Sequence, residues 1–363
     1  MAAFHELKVL EVRRETEDSV SVLLEVNSEL QESFKFIPGQ YVTFKKEIGG
    51  EEIRRSYSIC SAPYQNELRV GIKKMPFGKF SSFANDELKV GDILATLTPR
   101  GRFLFESDAS KSRHLVGLAG GSGVTPVLSI LKDVLHSEPN SRFTLFYGNR
   151  NATSVIFKEQ LASLKNEYLS RLIIHHIFSE EEVGSDLFQG MMTKEKVAEL
   201  MAKLVEIKEV DGFYICGPEP MIIGAKDVLK ESGAADDKVH FELFASSNSE
   251  PKPETDIAPE KPKEETANLL SKVKVVMDDD EFEFELDSNG KTILEAATEA
   301  GVDVPFSCKG AVCCTCLARV KDGEASMDKN YSLSEKEVAE GLILTCQAHP
   351  QSKSVTFDYD DIW

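Results

Sequence analysis

Three cysteines within nine residues, Cys308, Cys313 and Cys316, and a fourth, Cys346, thirty residues further on, constrain this chain more than any other feature. The pattern is Cys-x4-Cys-x2-Cys with a distant fourth cysteine, the spacing of a plant-type [2Fe-2S] site. Two irons need four thiolates, and Gly310 lets the loop bring its backbone N–H groups toward the sulfides. Structural zinc is the competing reading of any four cysteines. Zinc ribbons pair two short Cys-x2-Cys knuckles, however, and here the fourth cysteine stands alone. Cys314, a fifth thiol inside the loop, is expected to be a small packed side chain.

A loop of this kind needs a small domain around it, and 363 residues allow two or three domains. Residues 245–270 carry four prolines and many charges with no aromatic residue, and read as a linker. If flexible, its ends stand roughly 25 to 30 Å apart. The expected division is 1–106, 107–244, the linker 245–270, and 271–363. The net charge of -19 disfavours nucleic acid and anionic membranes as partners. It is concentrated at the end, where residues 271–363 hold 9 basic and 19 acidic side chains. Seven cysteines, four of them within 308–316, suit a reducing compartment better than a disulfide framework. The start lacks a basic segment followed by an apolar run, and glycines and Pro126 interrupt the apolar stretch 115–131. A cytoplasmic protein is expected.

Residues 7–105 read as short strands separated by turns such as Pro38-Gly39 and Gly49-Gly50, and an antiparallel β-barrel is the economical reading. On one strand Arg55 and Tyr57 alternate onto the same face, so a cation and an aromatic ring can meet one ligand. Gly78-Lys79-Phe80-Ser81 precedes an amphipathic stretch and suits a phosphate at a helix start, although a plain turn and cap would look the same. From 113 onward strands and helices alternate, which means a parallel sheet covered by helices. Its first strand, 115–119, runs into Gly120-Gly121-Ser122-Gly123. Thr125 is expected as the N-cap and Pro126 as the first residue of the next helix, leaving open N–H groups for a pyrophosphate. Pro126 stands where a Rossmann loop has its third glycine. Cys216-Gly217-Pro218 repeats the arrangement at the end of a later strand. After the linker, 273–276 and 281–286 read as a hairpin and 293–300 as a helix. No Ser-His-Asp or His-Glu-x-x-His pattern supports hydrolysis. His175 and His176 are adjacent on a strand and point to opposite faces.

In order, Phe36-Ile37-Pro38-Gly39-Gln40-Tyr41, Arg55-Ser56-Tyr57-Ser58, Gly78 to Ser81, Gly120 to Pro126, Cys216-Gly217-Pro218 and Glu242-Leu243-Phe244 resemble the ferredoxin-NADP reductase superfamily. With a plant-type ferredoxin fused behind, the chain resembles the reductase components of multicomponent oxygenases. The fold this implies is multidomain: an antiparallel β-barrel FAD domain, an α/β parallel-sheet nucleotide-binding domain and a C-terminal α+β β-grasp ferredoxin domain. The resemblance implies that Arg55 meets the FAD pyrophosphate, Tyr57 packs on the isoalloxazine and Ser58 lies near its reactive nitrogen. Gly78, Lys79, Phe80 and Ser81 would hold the FAD phosphates. Gly121, Ser122, Gly123 and Thr125 would line the dinucleotide pyrophosphate. Cys216, with Gly217 and Pro218, would sit beside the nicotinamide, and Phe244 would cover the flavin. It further implies electron flow from NADPH or NADH through FAD and the cluster to an oxygenase component that docks the acidic ferredoxin domain. A steroid or other hydroxylase, a hybrid-cluster protein, or a zinc-holding scaffold are the alternatives. Ser179 is followed by Glu180-Glu181-Glu182, where a 2'-phosphate would be better served by a basic residue, and Arg150 could supply the charge.

Overall fold

Alternating apolar residues in the first hundred positions build a six-stranded antiparallel sheet. The computed structural model describes residues 4–244 and 269–362. Phe4–Phe244 forms one compact unit, and the described residues 269–362 belong to another. The strands are β1 (His5–Thr16), β2 (Ser19–Glu25), β3 (Tyr41–Ile48), β4 (Glu51–Ser58), β5 (Leu68–Lys73) and β6 (Ile93–Thr96), in the order β4-β3-β6-β1-β2-β5. A bridge between Ile59 and Val70 draws the two edge strands together into a barrel. Gly49 and Gly50, both at positive φ, turn β3 into β4. Helix α1 (Lys79–Asp86) places Phe80 in the barrel core, stacked 5.6 Å from Phe44. β1 is longer than the expected short strands. Its register shifts twice, at Val9/Glu11 and Arg14/Thr16, which interrupts the alternation.

The second half of this unit is a parallel sheet: β7 (His114–Gly120), β8 (Arg142–Asn149), β9 (Leu172–Phe178), β10 (Gly212–Gly217) and β11 (Val239–Leu243), in the order β11-β10-β7-β8-β9. Helices α2 (Val124–Ser137), α3 (Lys158–Glu167), α4 (Lys194–Leu204) and α5 (Glu219–Glu231) cover it. The strand order reverses direction between β7 and β10, the place where open α/β sheets form a ligand crevice. The helix after β7 begins earlier than expected. Gly121–Gly123 is a 3-10 turn that winds straight into α2, so Gly123 is the N-cap and Pro126 the third helical residue. Pro126 is tolerated there because first-turn N–H groups have no partner within the helix. Thr125 does not cap; its hydroxyl donates to the Ser122 carbonyl at 2.9 Å.

Helix α2 is buried from Val124 through Leu135. At about 1.5 to 3 kcal/mol for each large apolar side chain, it is a main contributor to the core. Its polar side chains reach the barrel. Ser129 donates to the Ser61 carbonyl at 2.6 Å and the fully buried Lys132 amine to the Cys60 carbonyl at 2.7 Å. Cys60, two residues beyond β4, is buried, and its thiol donates to the Arg69 carbonyl. His175 stacks on Phe146 and Phe188, and His176 on Phe178.

Residues 245–268 of the expected linker lie outside the described residues. Its last two positions are part of the sheet instead: the Leu269 carbonyl accepts from Ser288, and Leu270 pairs with Asp287. The C-terminal unit has β12 (Leu270–Met277), β13 (Asp280–Asp287), α6 (Ile293–Glu299), β14 (Leu317–Asp322), β15 (Ala325–Met327), α7 (Glu335–Ala339), β16 (Leu342–Leu344), β17 (Ala348–Pro350) and β18 (Ser354–Asp358). The five-stranded sheet runs β13-β12-β18-β14-β16, with β12 and β18 parallel, and β15 pairs with β17. Ile293, Leu294 and Ala297 of α6 pack into its core. A capping box at Thr292 and Glu295 starts that helix.

Candidate functional site

Three neighbouring groups at the carboxyl edge of the parallel sheet come from distant parts of the sequence. Cys216 on β10 is paired in register with Glu242 on β11. From the barrel, Ser58 at the end of β4 donates its hydroxyl to Glu242 Oε2 at 3.3 Å. Burial pushes the Glu242 carboxyl up to about 8, against the pull of the Ser58 hydroxyl. Burial, with Glu242 adding to it, pushes the Cys216 thiol far up as well. Glu242 is therefore neutral at pH 7 and gains charge as pH rises through 8. Cys216 stays a thiol. Phe244 follows β11 and is 38% exposed.

Beside this group, β7 and β10 approach through glycines. A Cβ on Gly123 would fall 2.1 Å from the Cys216 carbonyl oxygen, and one on Gly217 would fall 2.9 Å from the Gly120 nitrogen. Gly121, at φ 52, faces the other way, into open space where the nearest atom is Lys73 Nζ at 3.8 Å. The loop thus has one face packed on protein backbone and another face open. The open face is the cradle a dinucleotide pyrophosphate needs, and it fits. Arg150 follows β8, exposed, with its guanidinium 3.4 Å from Asp18. Glu181 is occupied in accepting the Ala152 N–H at 2.7 Å. Pro218 is exposed at the mouth and starts α5.

On the barrel, Arg55 and Tyr57 lie half-buried along β4. The Tyr57 ring is 5.5 Å from Phe80 and 5.9 Å from Phe44, and burial raises its phenol. Arg55 gives one donor to the Arg54 carbonyl at 2.7 Å, whereas it is Arg54 that pairs with Glu52. Gly78 caps α1, and the Ser81 hydroxyl receives the Met75 N–H at 3.1 Å, which shapes the turn. The Lys79 amine pairs with Glu51. Since the Phe80 ring is in the core, this residue can offer a phosphate only its first-turn N–H. A glycine-capped helix start bearing the exposed Lys79, next to a cation and an aromatic ring on β4, has the donor set a flavin dinucleotide requires.

In the C-terminal unit, the four cysteines fall into two pairs. Cys308 lies next to Cys313, and Cys316 next to Cys346. Two dithiolate pairs suit two bridged irons better than one tetrahedral ion. Among the described residues, no three His, Cys, Asp or Glu side chains are placed to hold a single metal ion. Hydrogen bonding from Cys313, with help from backbone N–H groups, holds the Cys308 thiol below the ordinary thiol range. The Gly310 and Cys313 amides approach the Cys308 sulfur at 3.3 and 3.4 Å. Lys309, Ala311 and Cys314 all have positive φ. Left-handed conformation costs a non-glycine residue about 1 to 2 kcal/mol, and alternating it in this way turns successive N–H groups inward to a nest for anionic sulfur.

Side chains that sequence reasoning did not assign hold the loop. The Ser332 hydroxyl approaches the Ala311 and Val312 carbonyls at 3.2 and 2.6 Å. Gln347 donates to the Lys309 carbonyl, and Thr345 to the Cys316 carbonyl at 2.9 Å. The buried Tyr359 hydroxyl donates in turn to Thr345 at 2.7 Å. Cys314 is half-buried against the core. Glu242 also went unassigned. The triplet Glu242-Leu243-Phe244 was its only signal, because a contact spanning 184 positions has no local periodicity.

A barrel with a glycine-capped helix start, a parallel sheet with a glycine cradle and a nest of four cysteines define a flavin- and nicotinamide-dependent iron–sulfur reductase. Family models agree: an oxidoreductase FAD-binding domain matches residues 6–105, an oxidoreductase NAD-binding domain 118–227, and a 2Fe-2S iron-sulfur cluster binding domain 275–351. The chain is 38% identical to one of the subunits of the 1,2-phenylacetyl-CoA epoxidase of Escherichia coli, over 99% of both chains. It is 31% identical to the ferredoxin reductase component of the 3-ketosteroid-9-alpha-monooxygenase of Mycobacterium tuberculosis, over 98% of this chain and 96% of that one. Among solved structures, phthalate dioxygenase reductase matches its fold over 98% of both chains (TM-score 0.59, 23% identity). An intact type IV self-sufficient cytochrome P450 monooxygenase also matches (TM-score 0.69, 22% identity), with 98% of this chain covering 41% of that one. The chain belongs to the family of reductase components of oxygenase systems, which pass electrons from NAD(P)H through FAD and a [2Fe-2S] cluster. Among the described residues, no helix is long and apolar enough to cross a membrane.

Proposed function

We propose that this reductase delivers electrons to the oxygenase component of a phenylacetyl-CoA epoxidase, in phenylacetate degradation. Full-length identity of 38% to a protein of that system, against 31% to a ketosteroid monooxygenase reductase, supports this partner. The net charge of -10 on residues 271–363 favours docking of the ferredoxin domain on a basic surface of the oxygenase. The seven cysteines favour a reducing, cytoplasmic setting, and the acidic balance disfavours nucleic acid and membrane surfaces.

The observation that carries the reading of the site is the convergence of Ser58, Cys216 and Glu242 beside the glycine cradle. Nicotinamide supplies electrons in pairs, bound FAD takes the pair and releases single electrons, and the cluster carries one at a time. Tyr57 provides an aromatic face for the flavin and Arg55 a cation for its pyrophosphate, with Lys79 and the N–H groups of Phe80 and Ser81 at the α1 start beside Gly78. Gly121, Ser122, Gly123 and Thr125 line the dinucleotide pyrophosphate. Arg150, exposed after β8, would meet a 2'-phosphate. Gly217 and Pro218 shape the mouth where Cys216 would stand beside a nicotinamide, and Phe244 would cover the flavin face. Cys308, Cys313, Cys316 and Cys346 hold the cluster.

Anaerobic titration of the purified protein with NADPH and, in parallel, NADH tests the chain of carriers. Bleaching of the flavin absorbance followed by the electron paramagnetic resonance signal of a reduced [2Fe-2S] centre is the expected result. Bleaching with no cluster signal would reduce the function to a flavin reductase with a separate binding domain. The partner is tested by supplying electrons to purified phenylacetyl-CoA epoxidase and to a ketosteroid monooxygenase. Turnover with only the latter would replace the proposed acceptor.

Glu242 adds a pH signature. With its carboxyl raised to about 8, it is neutral below that pH and ionised above. Stopped-flow rates of flavin reduction by NADPH are expected to show an inflection near pH 8 that Glu242→Gln, permanently neutral, abolishes. The same inflection in the variant would assign it to another group.

A further inference from the structure

One carboxylate in the cleft is shared between two cations from different parts of the fold. Asp18 lies in the turn between β1 and β2. Its Oδ1 accepts the hydroxyls of Thr16 at 2.8 Å and Ser19 at 3.1 Å, which leaves Oδ2 turned toward the cleft. Oδ2 lies 3.6 Å from Lys73 Nζ, at the end of β5, and 3.4 Å from Arg150 Nη2, beyond β8 of the parallel sheet. The turn is fastened to the strand that carries Lys73, since the Lys74 N–H donates to the Asp18 carbonyl at 2.7 Å. Lys73 in turn is the nearest group to the open face of Gly121. The triad therefore spans the barrel, the sheet and the dinucleotide cradle.

Its charges do not balance. Two cations facing one carboxylate leave a net positive charge beside the cradle. The acidic run that follows β9 lies beside Arg150, with the Glu180 N–H donating to the Arg150 carbonyl at 2.8 Å and Glu181 accepting the Ala152 N–H, but among the described residues Asp18 is the carboxylate within ion-pair distance of the guanidinium. Arg150 is more than half exposed, and so able to turn from Asp18 toward an incoming anion.

We propose that Asp18 is a specificity-determining residue: it competes with a nucleotide's 2'-phosphate for Arg150 and thereby limits the preference of the cleft for 2'-phosphorylated dinucleotides. This rests on the reading above that Arg150 meets that phosphate. Asp18 acts on discrimination through Arg150, whereas its pull on Lys73 bears on the 5'-diphosphate that both kinds of nucleotide share.

Calorimetric titration of the full chain carrying its FAD and cluster, with 2',5'-ADP and with 5'-AMP, which share a 5'-monophosphate and differ only in the 2'-phosphate, separates the two contributions. The ratio of their dissociation constants isolates the 2'-phosphate. In Asp18→Asn the amide oxygen can still accept from Thr16 and Ser19, so the turn is kept while the charge is removed. An exposed ion pair is worth up to ~1 kcal/mol, so the ratio is expected to shift about threefold to fivefold in favour of 2',5'-ADP. Arg150→Ala is expected to shift it the other way, and the double variant Asp18→Asn/Arg150→Ala should match Arg150→Ala alone. An Asp18→Asn ratio equal to wild type, in a protein whose ratio responds to Arg150→Ala, overturns the proposal. A ratio insensitive to Arg150→Ala overturns the reading of Arg150 on which it rests.

Discussion

Replacing Cys346 with serine is expected to remove the cluster absorbance and its paramagnetic signal while the flavin absorbance stays. Cys346 is buried behind the Thr345–Tyr359 hydrogen bonds, and its partner in the second thiol pair is Cys316. Serine leaves one iron short of a thiolate, in a loop already held in left-handed strain at Lys309, Ala311 and Cys314. Reduction of ferricyanide, which draws electrons from the flavin, should stay within about twofold of wild type, whereas delivery to the protein acceptor should fall by about a hundredfold or more. Both are read in one steady-state experiment with NADPH. Undiminished delivery in a cluster-free variant would mean that electrons leave from the flavin directly. A protein that is colourless apart from flavin before mutation would instead favour zinc.

Gly123→Ala should strike the other end of the electron path. The added methyl would meet the Cys216 carbonyl at 2.1 Å and its carbon at 2.4 Å, and backbone cannot move aside as a long side chain does. Relieving that overlap separates β10 from the start of α2, at a cost of about 1 to 3 kcal/mol or more. A displacement on the order of 1 Å between nicotinamide and flavin costs roughly a hundredfold in rate, so reduction by NADPH in stopped flow should drop by about that factor. Dithionite should still reduce both flavin and cluster. A rate near wild type would show that the β7–β10 crevice is not where the nicotinamide binds.

Much of the site can be read from the sequence wherever its chemistry demands a local pattern. The cysteine spacing is of that kind, because a binuclear cluster requires its thiolates at set intervals. So is the glycine loop after β7, because only residues without a Cβ permit the approach of two strand ends. Local reading fails at Thr125, where a threonine before proline looks like a cap, but the preceding glycines wind as a 3-10 turn and move the helix start back. It fails also along β1, whose two register shifts and many charges interrupt the alternation of a strand. Helix α4 is absent from the expected elements, although Val197, Leu200 and Met201 carry its apolar stripe behind a Thr193 cap. What stays hidden depends on tertiary contact: the raised carboxyl of Glu242, the hydroxyl of Ser332 on the cluster loop and the sharing of Asp18 exist only once distant segments meet.

The bonds from Ser129 and Lys132 to the Ser61 and Cys60 carbonyls bear on how the enzyme can move. They join the middle of α2, whose first turn closes the dinucleotide cradle, to the chain just beyond the flavin strand, and both are buried. Cys60, Phe103 and Phe105 of the barrel side continue into the same apolar core as Leu128 and Leu131. Hinge opening between barrel and sheet would have to expose a buried ammonium and split that core. The gap between electron donor and flavin is therefore a dimension built in at folding, as in a vice with its screw locked. Turnover is left to small moving parts, a role we propose for Phe244, exposed just after β11.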